Sequence, residues 1–378
     1  MKTVRILSKL IFNGFRYRLL KHSGKSSGLQ AISLEVTHRC ICQCCMCNIW
    51  QIPNGVPDLP LSEWLDLLSS PGLGDLREID ITGGEPFLRR DLLDLLTWIC
   101  AAKPGSFPQL RTVAITTNGL LTDRIIQIVG QIVEPMREQR IELVLACGMD
   151  AVGDKHDQIR NYKGAWGKFR ATLDGLKSLR ALYPNLILGI KTTIVPLNVH
   201  ELDRIARFAQ EHELFTIVSP CIITPNRFGN VDLKDELRLS EKDLQAVRHF
   251  YEGPSFAWSG HRQAMLQYLK TEKMKKPCSA GFNTVFVHYN GDVCACPLIP
   301  TALGNIKHVT IGALLSGKAA AQFRRQVGRF PACEECTEPG LERIAWPFEG
   351  FTCLRRLLRM GGRNFDRLAQ HMGFDKYL

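Results

Sequence analysis

The sequence predicts an α/β protein, a partial (β/α)6 barrel of the TIM type followed by a small C-terminal α+β module. Three observations lead there. Six short, apolar, β-branched runs alternate with longer amphipathic stretches between residues 31 and 220; the pattern changes after Ser219-Pro220 and Thr224-Pro225; and a hairpin signature with cysteines at its base follows Pro277. Serial right-handed crossovers build a parallel sheet, and six of them suit an open or partial barrel. At 378 residues, 45% hydrophobic and 22% charged, the chain has globular composition, which excludes wholesale disorder and a polytopic membrane protein.

Residues 1–30 form the first expected unit, a basic amphipathic helix. This segment holds seven Lys and Arg and no acid, against a net charge of +11 for the whole chain. On a helical projection Lys2, Arg5, Lys9 and Arg16 share one face, while Val4, Leu7, Leu10, Ile11, Phe15 and Leu19 lie opposite. Two readings stand: a helix docked on the body by its apolar face, or contact of residues 1–21 with a membrane surface. Asn13, Gly14, Arg16 and Arg18 interrupt the apolar run too often for it to span a bilayer, and no small-residue cleavage site follows. The expectation is a cytoplasmic protein, at most peripheral on the membrane, with a mitochondrial presequence as a weaker option. No basic stripe interleaved with aromatics occurs elsewhere, so no nucleic acid partner is expected.

The core is expected over 31–220. Strands are read at 31–37, 77–82, 111–117, 141–147, 187–195 and 215–219, and helices at 61–69, 91–102, 122–133, 166–181 and 198–211, with Asp or Asn capping several starts. Residues 221–276 read as a connecting helical region. The last module, 277–378, opens with two strands flanking Asn290-Gly291, a dipeptide suited to both positive-φ sites of a type I′ turn.

Fourteen cysteines without a secretory signal point to metal ligands or reactive groups and away from disulfides. Cys40, Cys42, Cys44, Cys45 and Cys47 crowd the loop leaving the first strand, and Cys278, Cys294, Cys296, Cys333, Cys336 and Cys353 form a second group. Cys100, Cys147 and Cys221 read as buried small hydrophobes. Three thiolates at Cys40, Cys44 and Cys47 can ligate three irons of a cuboidal cluster and leave the fourth open.

The Cys-x3-Cys-x2-Cys loop resembles that of the radical S-adenosylmethionine (SAM) superfamily. Thr82-Gly83-Gly84-Glu85-Pro86 after the second strand resembles the family's GGEP motif, Thr117-Asn118-Gly119 follows the third, and Gly148-Met149-Asp150 with His156-Asp157 and Arg160 resembles the motif at the fourth. The resemblance implies a SAM-binding 4Fe-4S cluster on Cys40, Cys44 and Cys47. It also implies reductive cleavage of SAM to a 5′-deoxyadenosyl radical, and a flavodoxin or ferredoxin-type electron donor. Gly83 and Gly84 are expected to let the backbone approach the ligand, Glu85 to accept from the SAM ammonium, Asn118 to reach ribose hydroxyls, and Arg160 to pair with a carboxylate. Two positions depart from the pattern. Met46 replaces an aromatic, so packing on adenine would be aliphatic. Gly148 replaces a serine, and Asp150 or Arg160 is expected to supply the missing contacts.

Cys278, Gly291, Cys296, Cys333 and Cys336 resemble the shortened SPASM/twitch auxiliary-cluster region, implying a second 4Fe-4S cluster with four thiolates. A zinc ribbon is the alternative. Cys294 competes with Cys296, because alternate strand residues share a face.

The substrate is less legible. The basic start favours a lipid or lipid-linked substrate at a membrane surface, with dehydrogenation of a small alcohol or sugar as the rival. Peptide modification ranks below these because only about thirty residues precede the first strand. A non-catalytic iron–sulfur electron carrier is the alternative class, though it would need no Glu85, Asn118 or Arg160. Arg227, His261 and Arg262 are candidates to face the cavity mouth.

Overall fold

The computed structural model describes residues 2–53, 55–254, 260–371 and 373–377. Six parallel strands, β1 (Ala31–Glu35), β2 (Glu78–Thr82), β3 (Thr112–Thr117), β4 (Glu142–Gly148), β5 (Leu186–Ile194) and β6 (Phe215–Pro220), appear where the apolar runs predict them. Each buries side chains on both faces, as strands sandwiched between an outer helical layer and an enclosed interior must. The sheet does not stop at β1. Strand β7 (Thr284–Val287) pairs with β1 in parallel register, Ile32 opposite Val285, and β8 (Asp292–Cys294) and β9 (Ala302–Asn305) follow antiparallel. The order is therefore β6-β5-β4-β3-β2-β1-β7-β8-β9 in one open sheet, so the last module extends the barrel wall.

The hairpin corrects a turn assignment. Gly291 has φ 95° while Asn290 stays out of the left-handed region, His288 N donates to Asp292 O, and Gly291 N donates to His288 O. This is a type I turn with a left-handed glycine after it, and the Asn290 side chain accepts from Asp292 N at 3.1 Å instead of supplying a second positive φ. Helix ends also move. The third and fourth helices run past the expected stops to Leu92–Ser106 and Thr122–Glu138, with Pro104 and Pro135 inside. Asp91 does not cap the former; its carboxylate is taken by Arg89 at 2.6 Å.

Helix Lys2–Ser23 docks on the C-terminal half, but through a narrow stripe. Leu10 and Tyr17 are buried, and a side chain on Gly14 would collide with the Phe351 ring. Tyr17 donates its hydroxyl to Cys278 O at 3.0 Å. Of the expected apolar face, Ile11, Phe15 and Leu19 point to solvent, because the apolar arc is wider than the docking groove. The side chains of Lys2, Val4 and Arg5 lie outside the described residues. No described helix is long and apolar enough to cross a membrane.

At the N-terminal ends of the strands the last residues close the interior. Tyr377 and Arg343 both bond the buried Glu78 carboxylate, and Lys376 pairs with Glu142 and donates to Thr112 Oγ1. Burial raises Glu78's affinity for a proton, yet Arg343 and these donors outweigh it and hold the carboxyl below its ordinary range. The opposite rim, at the C-terminal strand ends, stays open, as in parallel α/β sheets whose sites lie there.

Candidate functional site

Cys40, Cys44 and Cys47 line one wall of a cavity at that rim, with Cys42 among them. The loop carrying them is clamped by the turn after β2. Gly84 N donates to Thr37 O and Glu85 N to Arg39 O, both at 2.8 Å. A Cβ on Gly83 would strike Thr37 O, and one on Gly84 would strike Arg39 O. The two glycines therefore serve the close approach of two protein backbones, and both also line the cavity.

Glu85 also differs from expectation. Its carboxylate is fully buried and accepts from Phe87 N (3.0 Å), Thr117 Oγ1 (2.9 and 3.0 Å) and Asn118 N (2.7 Å). With its oxygens engaged inside the protein it does not line the cavity, and it braces β2 to β3 instead of presenting an acceptor there. Burial still pushes it up to about 7 against those donors. Asn118 does line the cavity, with its Nδ2 at 3.9 Å from Cys40 Sγ.

Arg160 is held on a seven-residue helix, Asp154–Arg160, that the sequence did not reveal because it is too short and polar to show a period. It pairs with the buried Asp150 at 2.7 Å and places Nη1 at 3.9 Å from Cys44 Sγ. A Cβ on Gly148 would overlap Arg160 Nη2, so the glycine at that position makes room for the guanidinium. A hydrogen bond from Cys42, helped by the Arg160 charge, brings the Cys44 thiol down to about 7 against the opposing effect of burial. His156, on the same helix, is buried; its Nδ1 accepts from Asp150 N at 3.3 Å, and desolvation lowers it to about 3. Met46 packs with Ala151, Ile159, Val195 and Leu237 at the cavity edge, beside Cys45 and Cys221.

The second cysteine group converges separately. Cys278, Cys296, Cys333 and Cys336 line a single cavity below the N-terminal helix, beside Lys21 and Lys276. Cys294 is not among them. The strand β8 ends at Cys294, pairing with Phe286, and the chain turns before Cys296, so the alternation that would put both on one face does not extend that far. Cys353 lies in another apolar cluster with Leu10 and Trp346, and Cys100 and Cys147 lie in the main core.

Between the two cysteine sites the interior carries charged side chains. Lys191, on β5 opposite Gly148, and Glu338, two residues past Cys336, line this space. Glu338 lines all three cavities, including the one holding the second cysteine group. Lys191, the Gly340 amide and Lys276 outweigh burial and keep its carboxyl below the ordinary range. Neither residue was singled out from the sequence, although a lysine inside the apolar run 187–195 was a usable signal. Of the three connector candidates only Arg227 faces the cavity. It bonds Glu35 Oε1 at 2.5 Å and Thr82 Oγ1 at 2.9 Å, while His288 takes Glu35 Oε2 at 2.7 Å. His261 pairs with Glu342 at 3.3 Å, and Arg262 bonds the Tyr251 and Glu252 carbonyls.

The Radical SAM superfamily matches residues 34–209, and the SPASM iron–sulfur cluster-binding domain matches residues 278–337. The chain carries a radical SAM domain and a SPASM iron–sulfur cluster-binding domain. It is 20% identical over 326 residues to the antilisterial bacteriocin subtilosin biosynthesis protein AlbA of Bacillus subtilis, covering 84% of this chain and 65% of AlbA. It is 27% identical over 246 residues to GTP 3′,8-cyclase of Chlorobaculum tepidum, covering 61% of this chain and 68% of the cyclase. The chain thus spans about two thirds of the length of these relatives. Streptococcus suis SuiB bound to S-adenosylmethionine superposes with a TM-score of 0.59 at 13% identity, over 85% of this chain and 75% of SuiB.

A radical SAM core and a SPASM region bring a SAM-binding 4Fe-4S cluster, an auxiliary cluster and SAM. The donor chemistry here fits both clusters. Three sulfurs share one cavity wall with Asn118 and Arg160 N–H groups near two of them, and four sulfurs share the second cavity.

Proposed function

We propose that this radical SAM enzyme removes hydrogen from a polar, peptide-like substrate held between its two cysteine sites. The observation that carries the reading is the pair Lys191 and Glu338, a cation and a carboxylate that both line the cavity holding Arg160, with Glu338 also lining the one that holds Cys296 and Cys336. A cation and a carboxylate in one lining suit a substrate with amide or charged groups. AlbA is named for bacteriocin biosynthesis, and SuiB is known bound to its precursor peptide, which supports a peptide over a small alcohol, sugar or lipid.

Cys40, Cys44 and Cys47 would hold the SAM-binding cluster, and Cys278, Cys296, Cys333 and Cys336 the auxiliary one. When bound, cluster and SAM supply a 5′-deoxyadenosyl radical. The protein's part is positional. Met46 offers an apolar wall to adenine, Asn118 and the Gly83–Gly84 backbone line the space opposite, and Arg160, fixed by Asp150, offers a cation toward the SAM carboxylate. Lys191 and Glu338 hold the substrate, and the enclosed barrel interior keeps water from the reacting carbon.

The test is to incubate the reduced enzyme and SAM with fractions of a fully deuterated cell extract and to look for deuterium in the released 5′-deoxyadenosine. Transfer from the peptide fraction is expected. Transfer from the lipid fraction alone would overturn the reading.

A further inference from the structure

The side of helix Lys2–Ser23 that faces away from the body is apolar. Ile11, Phe12, Phe15 and Leu19 repeat at helical spacing and are 42%, 65%, 61% and 70% exposed. The docked stripe of the same helix already contains Leu10 and Tyr17, so this second stripe is not needed for attachment. Helix Phe351–Met360 continues the face. Phe15 meets the Phe351 ring edge-on at 5.1 Å, and Leu358, two turns after Phe351 on the same side, is 71% exposed. Bulky apolar side chains clustered in this way, as opposed to scattered singly, mark an interaction site.

The rim is basic. On the projection Arg16 and Arg18 flank the stripe on its two sides, and Arg355 and Arg359 stand exposed on the second helix. Neither residues 1–30 nor 351–360 contain an acid. Arg18 reaches Glu349 at 3.2 Å and lies over the Phe351 ring, which orders the guanidinium beside the apolar patch.

We infer that this two-helix face, formed by Ile11, Phe12, Phe15, Leu19 and Leu358 with its arginine rim, docks on an anionic lipid surface. Aromatic and aliphatic tips flanked by arginines are the arrangement that inserts shallowly between lipid headgroups. A second copy of the chain is disfavoured because a two-fold contact would bring like-charged rims together. The inference does not depend on the substrate proposed above, since a polar substrate and a membrane-resting enzyme are compatible.

Flotation of the anaerobically purified full chain with phosphatidylcholine vesicles, with and without phosphatidylglycerol, tests it. Binding is expected only with phosphatidylglycerol, weakened by salt. The variant Phe12→Ser with Leu19→Ser should reduce partitioning by about tenfold or more, given the apolar area removed, while substrate-free 5′-deoxyadenosine release stays unchanged. Arg355→Gln with Arg359→Gln should reduce the phosphatidylglycerol dependence. Absence of wild-type binding to the anionic vesicles overturns the inference. So does a concentration-dependent dimer that Phe12→Ser with Leu19→Ser abolishes, or capture by polyglutamate without vesicle binding. None of these results bears on the deuterium-transfer test, so the two proposals fail separately.

Discussion

Arg160 occupies the space that a side chain at position 148 would fill. Its Nη2 lies where a Cβ on Gly148 would sit, and from there it reaches Asp150 at 2.7 Å and Cys44 Sγ at 3.9 Å. The loss of a side chain on β4 and the arrival of a long cation from the next helix are one arrangement. Gly148→Ser should therefore not restore anything; it should evict the guanidinium and leave Asp150 buried without its partner. The expected result is a destabilisation of roughly 3 kcal/mol together with weaker SAM binding. Both are read by denaturant unfolding and by equilibrium dialysis of SAM on the reconstituted enzyme.

His156 gives the site a pH dependence with a definite sign. Buried beside Trp166 and Phe169, it is held neutral in the fold by desolvation, at about 3, against about 6.5 for an unfolded chain. The unfolded state therefore binds the extra proton, and stability falls as pH drops from about 6.5 toward 3, by at most about 1.4 kcal/mol per pH unit. His156→Gln should flatten that part of the profile. Unfolding free energies measured at steps between pH 7 and pH 5 would show it, and an unchanged slope in the variant would assign the acid sensitivity elsewhere.

The second cysteine site separates two neighbours. Cys296→Ala should lower bound iron and sulfide by about one cluster per chain, whereas Cys294→Ala, a substitution in the sheet, should keep both clusters and cost about 1 kcal/mol of packing. Iron and sulfide analysis after anaerobic reconstitution distinguishes them. Equal loss in the two variants would mean that the cavity lining does not identify the ligands.

How far the sequence could be read follows from the range of each signal. The six parallel strands were visible because apolar β-branched runs such as 141–147 and 187–195 carry their own pattern, and the cysteine and Gly83-Gly84 motifs were visible because the spacing is local. The pairing of β7 with β1 was not, since a parallel contact between Ile32 and Val285 leaves no mark in either stretch. The direction of Glu85 was also hidden. A motif shows that a carboxylate is present but not whether Thr117 and Asn118 turn it inward. The outward stripe of Phe12, Phe15 and Leu19 emerged only once Leu10, Gly14 and Tyr17 were found to use up the docking groove.

The central claim is that Cys40, Cys44 and Cys47 together hold the group that cleaves SAM. Anaerobic incubation of the reduced, reconstituted protein with SAM, followed by chromatography for 5′-deoxyadenosine, tests it most directly. Wild type should release the nucleoside even without substrate, Cys44→Ala should release none, and Cys45→Ala should behave as wild type. Wild-type protein with a full complement of iron and sulfide that releases no 5′-deoxyadenosine would contradict the account.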